Sequence, residues 1–146
     1  MGEASYQNIL LLIDEGLATL TLDRPNRLNS FTAEMHGEVR DAFEQIKIDN
    51  SIRCLLITGN GTGFCAGQDL GVRKLAASEK IPDLSESIEK NWNPLVRNIN
   101  QLEMPVLCAV NGVAAGAGAN IALACDIVFA ARSASFIQAF NKLGLV

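Results

Sequence analysis

The chain has 146 residues, 49% hydrophobic and 19% charged, with a net charge of -4 and a pI near 4.9. That length suits one domain or part of one, and the composition is that of a folded protein with a core, far from a disordered chain. No run of Lys or Arg forms a basic stripe, which argues against a nucleic-acid partner.

Ile9–Ile13 and Leu17–Leu22 read as two strands, with Asp14-Glu15-Gly16 as the hairpin turn between them. The second alternates Leu with small polar residues, as a strand with one buried face does. Asp23–Arg27 is a loop, because Pro25 lacks a ladder donor and holds Arg24 extended. A helix is predicted from about Thr32 to Asp49: Thr32 can cap it, and Met35, Val39, Ala42, Phe43 and Ile46 recur at helical spacing. His36, the one histidine, falls on the polar face and reads as exposed. Arg53–Thr58 is apolar on both faces and predicts a fully buried parallel strand, and Gly59–Gly63 is a loop. Leu84, Ile88, Trp92, Leu95, Val96, Ile99 and Leu102 form one apolar helical stripe, which Pro94 should kink or split. Pro105–Val110 is a second buried strand. A Gly/Ala-rich turn, a helix over Asn120–Ala124 and a third buried strand over Asp126–Ala130 follow. Strands alternating with helices predict an α/β architecture with right-handed crossovers.

The N-terminus has no signal-peptide pattern, and the apolar stretches are too short to span a membrane. Cys54, Cys65, Cys108 and Cys125 lie singly in apolar segments without metal-ligand spacing, so no metal site is expected and a reducing cytoplasm is. The last segment, Asn141–Val146, ends on apolar residues with no helix cap, which suggests a fragment.

Two segments could carry chemistry: Gly61–Leu70 and Asn111–Asn120. Each follows a buried strand and leads into a helix, so each presents free backbone N–H groups at the end of a parallel sheet where ligand crevices open. Two such donors aimed at one point make an oxyanion hole. Gly59, Gly61 and Gly63 miss the dinucleotide pattern because Phe64 stands where its last Gly belongs, and no P-loop occurs. No G-x-S-x-G is present to support a serine hydrolase. Asp69 could be a general base but sits where it would cap a helix starting at Leu70. Cys65 reads as a packed thiol rather than a nucleophile, and Asp126 as structural. Asn120 could contact substrate or serve the fold.

Asp23-Arg24-Pro25-x-x-Leu28-Asn29-Ser30, Gly63–Leu70, Pro105-Val106 to Asn111-Gly112, and Gly116-Ala117-Gly118 to Asp126 resemble the crotonase (enoyl-CoA hydratase/isomerase) family in order and spacing. Asn93–Arg97, Asn111–Ala119 and Phe140–Leu145 resemble its branch acting on 1,2-epoxyphenylacetyl-CoA. The resemblance implies an α/β, ClpP/crotonase-type spiral of β-β-α units, with residues 1–146 forming an N-terminal part of the core that lacks the helical trimerisation region. It implies an acyl-CoA isomerase with no prosthetic group, coenzyme A entering as part of the thioester substrate. The Gln68 and Ala117 amides would hold the thioester oxygen. Coenzyme A would lie along Leu28, Ala66, Asp69 and Leu70, with Arg24 and Arg27 as phosphate contacts. Trp92 belongs to the core stripe, although its helix in this family flanks the acyl pocket. The two glutamates of the hydratases match Asn120 and Phe140, which cannot exchange a proton, so the acid/base is expected after Val146. A homotrimer or dimer of trimers is implied for the full-length family. A hydratase, a thioester hydrolase or a non-catalytic CoA-binding fragment are the alternatives.

Overall fold

The computed structural model describes residues 6–69, 71, 84–138 and 140. The chain opens with a hairpin of β1 (Ile9–Asp14) and β2 (Leu17–Leu22), paired antiparallel. Its two turn residues, Glu15 at φ +45° and Gly16 at φ +85°, are both left-handed, the geometry that matches the twist of the strands they join.

β2 then pairs in parallel with β3 (Cys54–Gly59), β3 with β5 (Val106–Val110), and β5 with β7 (Ile127–Ala130). Together these make a five-stranded sheet in the order β1-β2-β3-β5-β7. A second, parallel sheet holds β4 (Gly63–Cys65), β6 (Val113–Ala115) and β8 (Ser135–Ile137). After the hairpin, each unit therefore gives its first strand to the large sheet and its second to the small one. Helix follows the second strand: Leu84–Gln101 after β4, and α3 (Ala117–Ala124) after β6. This is the predicted spiral of β-β-α units.

α1 (Ala33–Ile48) starts where Thr32 Oγ1 accepts from the Met35 N–H at 3.2 Å. It buries Met35, Val39, Ala42, Phe43 and Ile46 in one core with the inward rows of the large sheet. Register aligns those rows: Ala18, Leu55 and Val106 in one, Leu20, Ile57 and Cys108 in the next. A fully buried Leu, Ile or Phe contributes about 1.5–3 kcal/mol, so this layer dominates stability.

The second helix is split as Pro94 predicts. An α turn (Leu84–Ser87) and a π turn (Ile88–Trp92) lead into α2 (Asn93–Gln101), with Pro94 in its first turn. The Asn93 N–H reaches back five residues to the Ile88 carbonyl. That wide turn shifts the apolar stripe: Leu95 and Ile99 are buried, but Ile88 is 39% exposed.

Other expectations need correcting. His36 is 4% exposed rather than on a solvent face, because the aromatic rings of Phe31 and Trp92 close over it. β3 buries Leu55 and Ile57 but leaves Cys54 and Leu56 half-buried. β7 is exposed rather than buried, with Phe129 at 58%: it edges the large sheet, and no described residue covers it. Gly63 and Val113–Ala115, read as loop and turn, are strand, because parallel pairing between β4 and β6 holds them. The helix predicted to begin at Asn120 starts at Ala117.

Candidate active site

The site is built where the Arg24–Phe31 loop meets the end of β4. Pro25–Arg27 forms one 3₁₀ turn, and Leu28 and Asn29 then both take left-handed backbone, at φ +48° and +55°. Asn29 is fully buried and makes four hydrogen bonds: its Oδ1 accepts from the Arg24 N–H, and its Nδ2 donates to the carbonyls of Asn60, Gly63 and Phe64. The loop is thereby welded to the β3–β4 corner. Sequence reasoning gave Asn29 no role, although asparagine after the Arg-Pro turn is a residue that tolerates left-handed backbone.

Beyond that weld the two backbones run side by side. Ala66 N–H donates to the Leu28 carbonyl, Phe31 N–H to Gly67, and Asp69 N–H to Phe31. The Gly67 carbonyl and the Asp69 N–H both face Phe31, so the Gln68 N–H between them faces the opposite way. The same segment lies against the start of α3. A Cβ added to Gly67 would stand 2.9 Å from the Ala115 carbonyl oxygen and 3.3 Å from the Ala117 nitrogen. A Cβ on Gly118 would stand 2.1 Å from the Cys65 carbonyl oxygen. Only glycines let the two segments approach this closely. Ala117 is the first residue of α3, so its N–H has no intrahelical acceptor and lies at the positive end of the helix dipole. Neither the Gln68 nor the Ala117 N–H donates to another described residue. The segment that carries one free amide thus packs against the helix start that carries the other.

The profile of the family described as Enoyl-CoA hydratase/isomerase matches residues 13–146. The chain belongs to the enoyl-CoA hydratase/isomerase family. It is 56% identical over 138 residues to the 1,2-epoxyphenylacetyl-CoA isomerase of Escherichia coli (strain K12), covering 94% of this chain and 53% of that one. A Rhodobacter capsulatus protein described as a probable enoyl-CoA hydratase is 45% identical over 142 residues, covering 97% of this chain and 53% of its own. Among solved structures, an enoyl-CoA hydratase from Bacillus anthracis superposes with a TM-score of 0.86 at 30% identity, over 96% of this chain and 54% of that one. The chain spans about half the length of the curated relatives it matches.

The other residues that the enoyl-CoA hydratase/isomerase resemblance implied lie around these two segments. Arg24 is half-buried and pairs with Asp69 at 3.0 Å, while also donating to the Ser30 carbonyl. Its guanidinium therefore braces the loop. Arg27 is exposed beside it, as are Leu28 and, in part, Ala66. Asp69 accepts from the Gly71 N–H at 2.9 Å. That bond, and then Arg24 and Arg27, holds its carboxyl below the ordinary carboxylate value. Leu70 and the helix it was predicted to begin lie outside the described residues, as do Asn141–Val146.

Asn120 is exposed on α3 and accepts from Gln138 Nε2 at 2.8 Å. The Phe140 ring lies over Gly116, 3.6 Å from where a Cβ would be. Both thus flank the turn that carries the Ala117 donor. Cys65 is buried and burial pushes its thiol up to about 12, which suits packing and not nucleophilic attack. Asp126 accepts from the Val106 N–H at 2.8 Å, a structural role. Trp92 is half-buried against the core, and its Nε1 donates to Gln68 Oε1 at 3.1 Å. Nothing in the sequence signals that contact. Among the described residues no cluster of His, Cys, Asp and Glu could hold a metal, and no helix is long and apolar enough to cross a membrane.

Proposed function

We propose that this chain forms the thioester-holding face of an acyl-CoA isomerase of the crotonase type. What supports this is the close packing at Gly67 and Gly118 of the segment carrying Gln68 against the helix start at Ala117, with neither of those N–H groups bonded to another described residue. A thioester oxygen between them gains negative charge as its α-carbon gives up a proton. Fixed donors at that point stabilise the enolate, each by roughly 3–4 kcal/mol of barrier. Coenzyme A would run along the open backbone at Leu28, Ala66 and Asp69 towards Leu70, with Arg27 the exposed cation for a phosphate and Arg24 beside it.

Isomerisation is favoured over hydration because Asn120 and Phe140 stand where proton-transferring glutamates would be needed to add water. The 56% identity to a 1,2-epoxyphenylacetyl-CoA isomerase supports an aryl-acetyl group as the acyl part. The test is to titrate the full-length protein with acyl-CoA esters and to follow the products of an unsaturated ester by mass spectrometry. Binding with an isobaric product is expected. A product heavier by one water would favour the hydratase reading, binding without turnover would leave only a CoA-binding surface, and no binding of any ester would overturn the proposal.

A further inference from the structure

Resting on the thioester reading above, we infer that Trp92 is a positioning residue, which fixes the direction of the Gln68 peptide N–H through the Gln68 side chain. Gly67 precedes that peptide at φ +85°, and glycine restrains its neighbouring peptide plane least of all residues. The plane therefore needs outside support. Part of it converges on one atom: the Phe31 carbonyl accepts from Asp69 N at 2.9 Å and from Gln68 Nε2 at 3.0 Å, which fills both its lone pairs. The other end of the Gln68 carboxamide, Oε1, takes the Trp92 indole N–H at 3.1 Å. With both ends engaged, the side chain has one orientation, and its backbone cannot turn without breaking a bond.

Trp92 is itself held. Its ring centroid lies 4.6 Å from that of His36, edge-on, and 5.2 Å from that of Phe31. Its place along the helix follows from Pro94, which has no N–H to offer the Lys90 carbonyl four residues back. That carbonyl instead accepts from Arg40 Nη2 of α1 at 3.1 Å, and the Asn93 N–H closes the π turn that ends at Trp92. Such turns recur at functional sites. A helix defect written by one proline thus ends at one of the two donors.

The experiment compares two probes on this chain: acetoacetyl-CoA, whose enolisable thioester would use the Gln68 donor, and CoA, which has no thioester carbonyl. Trp92→Phe keeps a ring against Phe31 and His36 but removes the N–H; Gln68→Met keeps the length of the side chain and removes both bonds. Each should weaken acetoacetyl-CoA binding about fivefold, the scale of one hydrogen bond, with CoA affinity unchanged within twofold. The double variant should be no weaker than Gln68→Met alone, because both changes remove one interaction. Trp92 is the single tryptophan, so a changed emission in Gln68→Met reports the lost acceptor directly. Should Trp92→Phe fail to fold, Gln68→Met tests the same bond. Equal loss for both probes, no loss, or additive effects would overturn the role of Trp92. If the unsubstituted chain binds neither probe, the thioester reading itself fails, and the inference with it.

Discussion

A methyl group on Gly118 would stand 2.1 Å from the carbonyl oxygen of Cys65, so the start of α3 and the end of β4 meet backbone to backbone. Gly118→Ala must therefore push α3 away from β4, and the Ala117 N–H moves with it. We expect a loss of about 3 kcal/mol in urea unfolding, at the upper end for overpacking, together with lost thioester binding. Gly37 supplies the contrast. It lies within α1 with nothing within 4 Å of an added Cβ, so Gly37→Ala should stabilise by about 1 kcal/mol. Equal effects of the two substitutions would refute this account of Gly118.

Asn29 holds the other side of the site. Asn29→Ala strands the Arg24 N–H and removes a donor from the Gly63 and Phe64 carbonyls, at a cost on the order of 3 kcal/mol. Asn29→Asp should be worse at neutral pH, since a carboxylate would face three carbonyl oxygens. It should recover towards the wild type as acid restores an O–H donor. Chemical denaturation at pH 7 and pH 4 checks both statements.

His36 makes stability depend on pH. Burial first, and then the nearby Arg40, lowers its pKa from 6.5 to about 4, so the folded chain keeps it neutral. Between those values the unfolded chain binds a proton that the folded chain refuses. Stability is therefore fully present above pH 6.5, falls as pH drops through the window, and levels off below pH 4. The fall is on the order of 3 kcal/mol. His36→Phe keeps a ring beside Trp92 and should flatten the urea midpoint over this range; an unchanged slope would assign the effect to other groups.

Ala117→Pro deletes one proposed oxyanion donor at the first position of a helix, where proline is accepted. In the full-length protein, turnover of an acyl-CoA ester should fall about 10²–10³-fold, with the circular dichroism of the fold preserved. Undiminished turnover would remove Ala117 from the chemistry.

Much of this molecule was legible in the linear chain. The hairpin, α1 with its Thr32 cap, the strands of the large sheet and the break at Pro94 follow from periods of 2 and 3.6 and from residues adjacent in sequence. The resemblance carried by Leu28, Gly63–Leu70 and Gly116–Gly118 pointed to the two backbone segments that the fold brings together. Backbone donors are legible this way because they depend on loop position rather than on side-chain identity.

What tertiary structure alone decided lies between residues far apart. β4, β6 and β8 have three residues each, too few to show a period, and exist because parallel neighbours complete their hydrogen bonds. His36 has a polar position on its own helix, yet Phe31 and Trp92 bury it. Gln68 was identified for its amide, while its side chain reaches Trp92 from 24 positions away. Local periodicity records which face of an element is apolar; it holds no record of which other element arrives to cover that face. The segments proposed to carry the donors were therefore readable from sequence, and the side-chain bonds around them were set by packing.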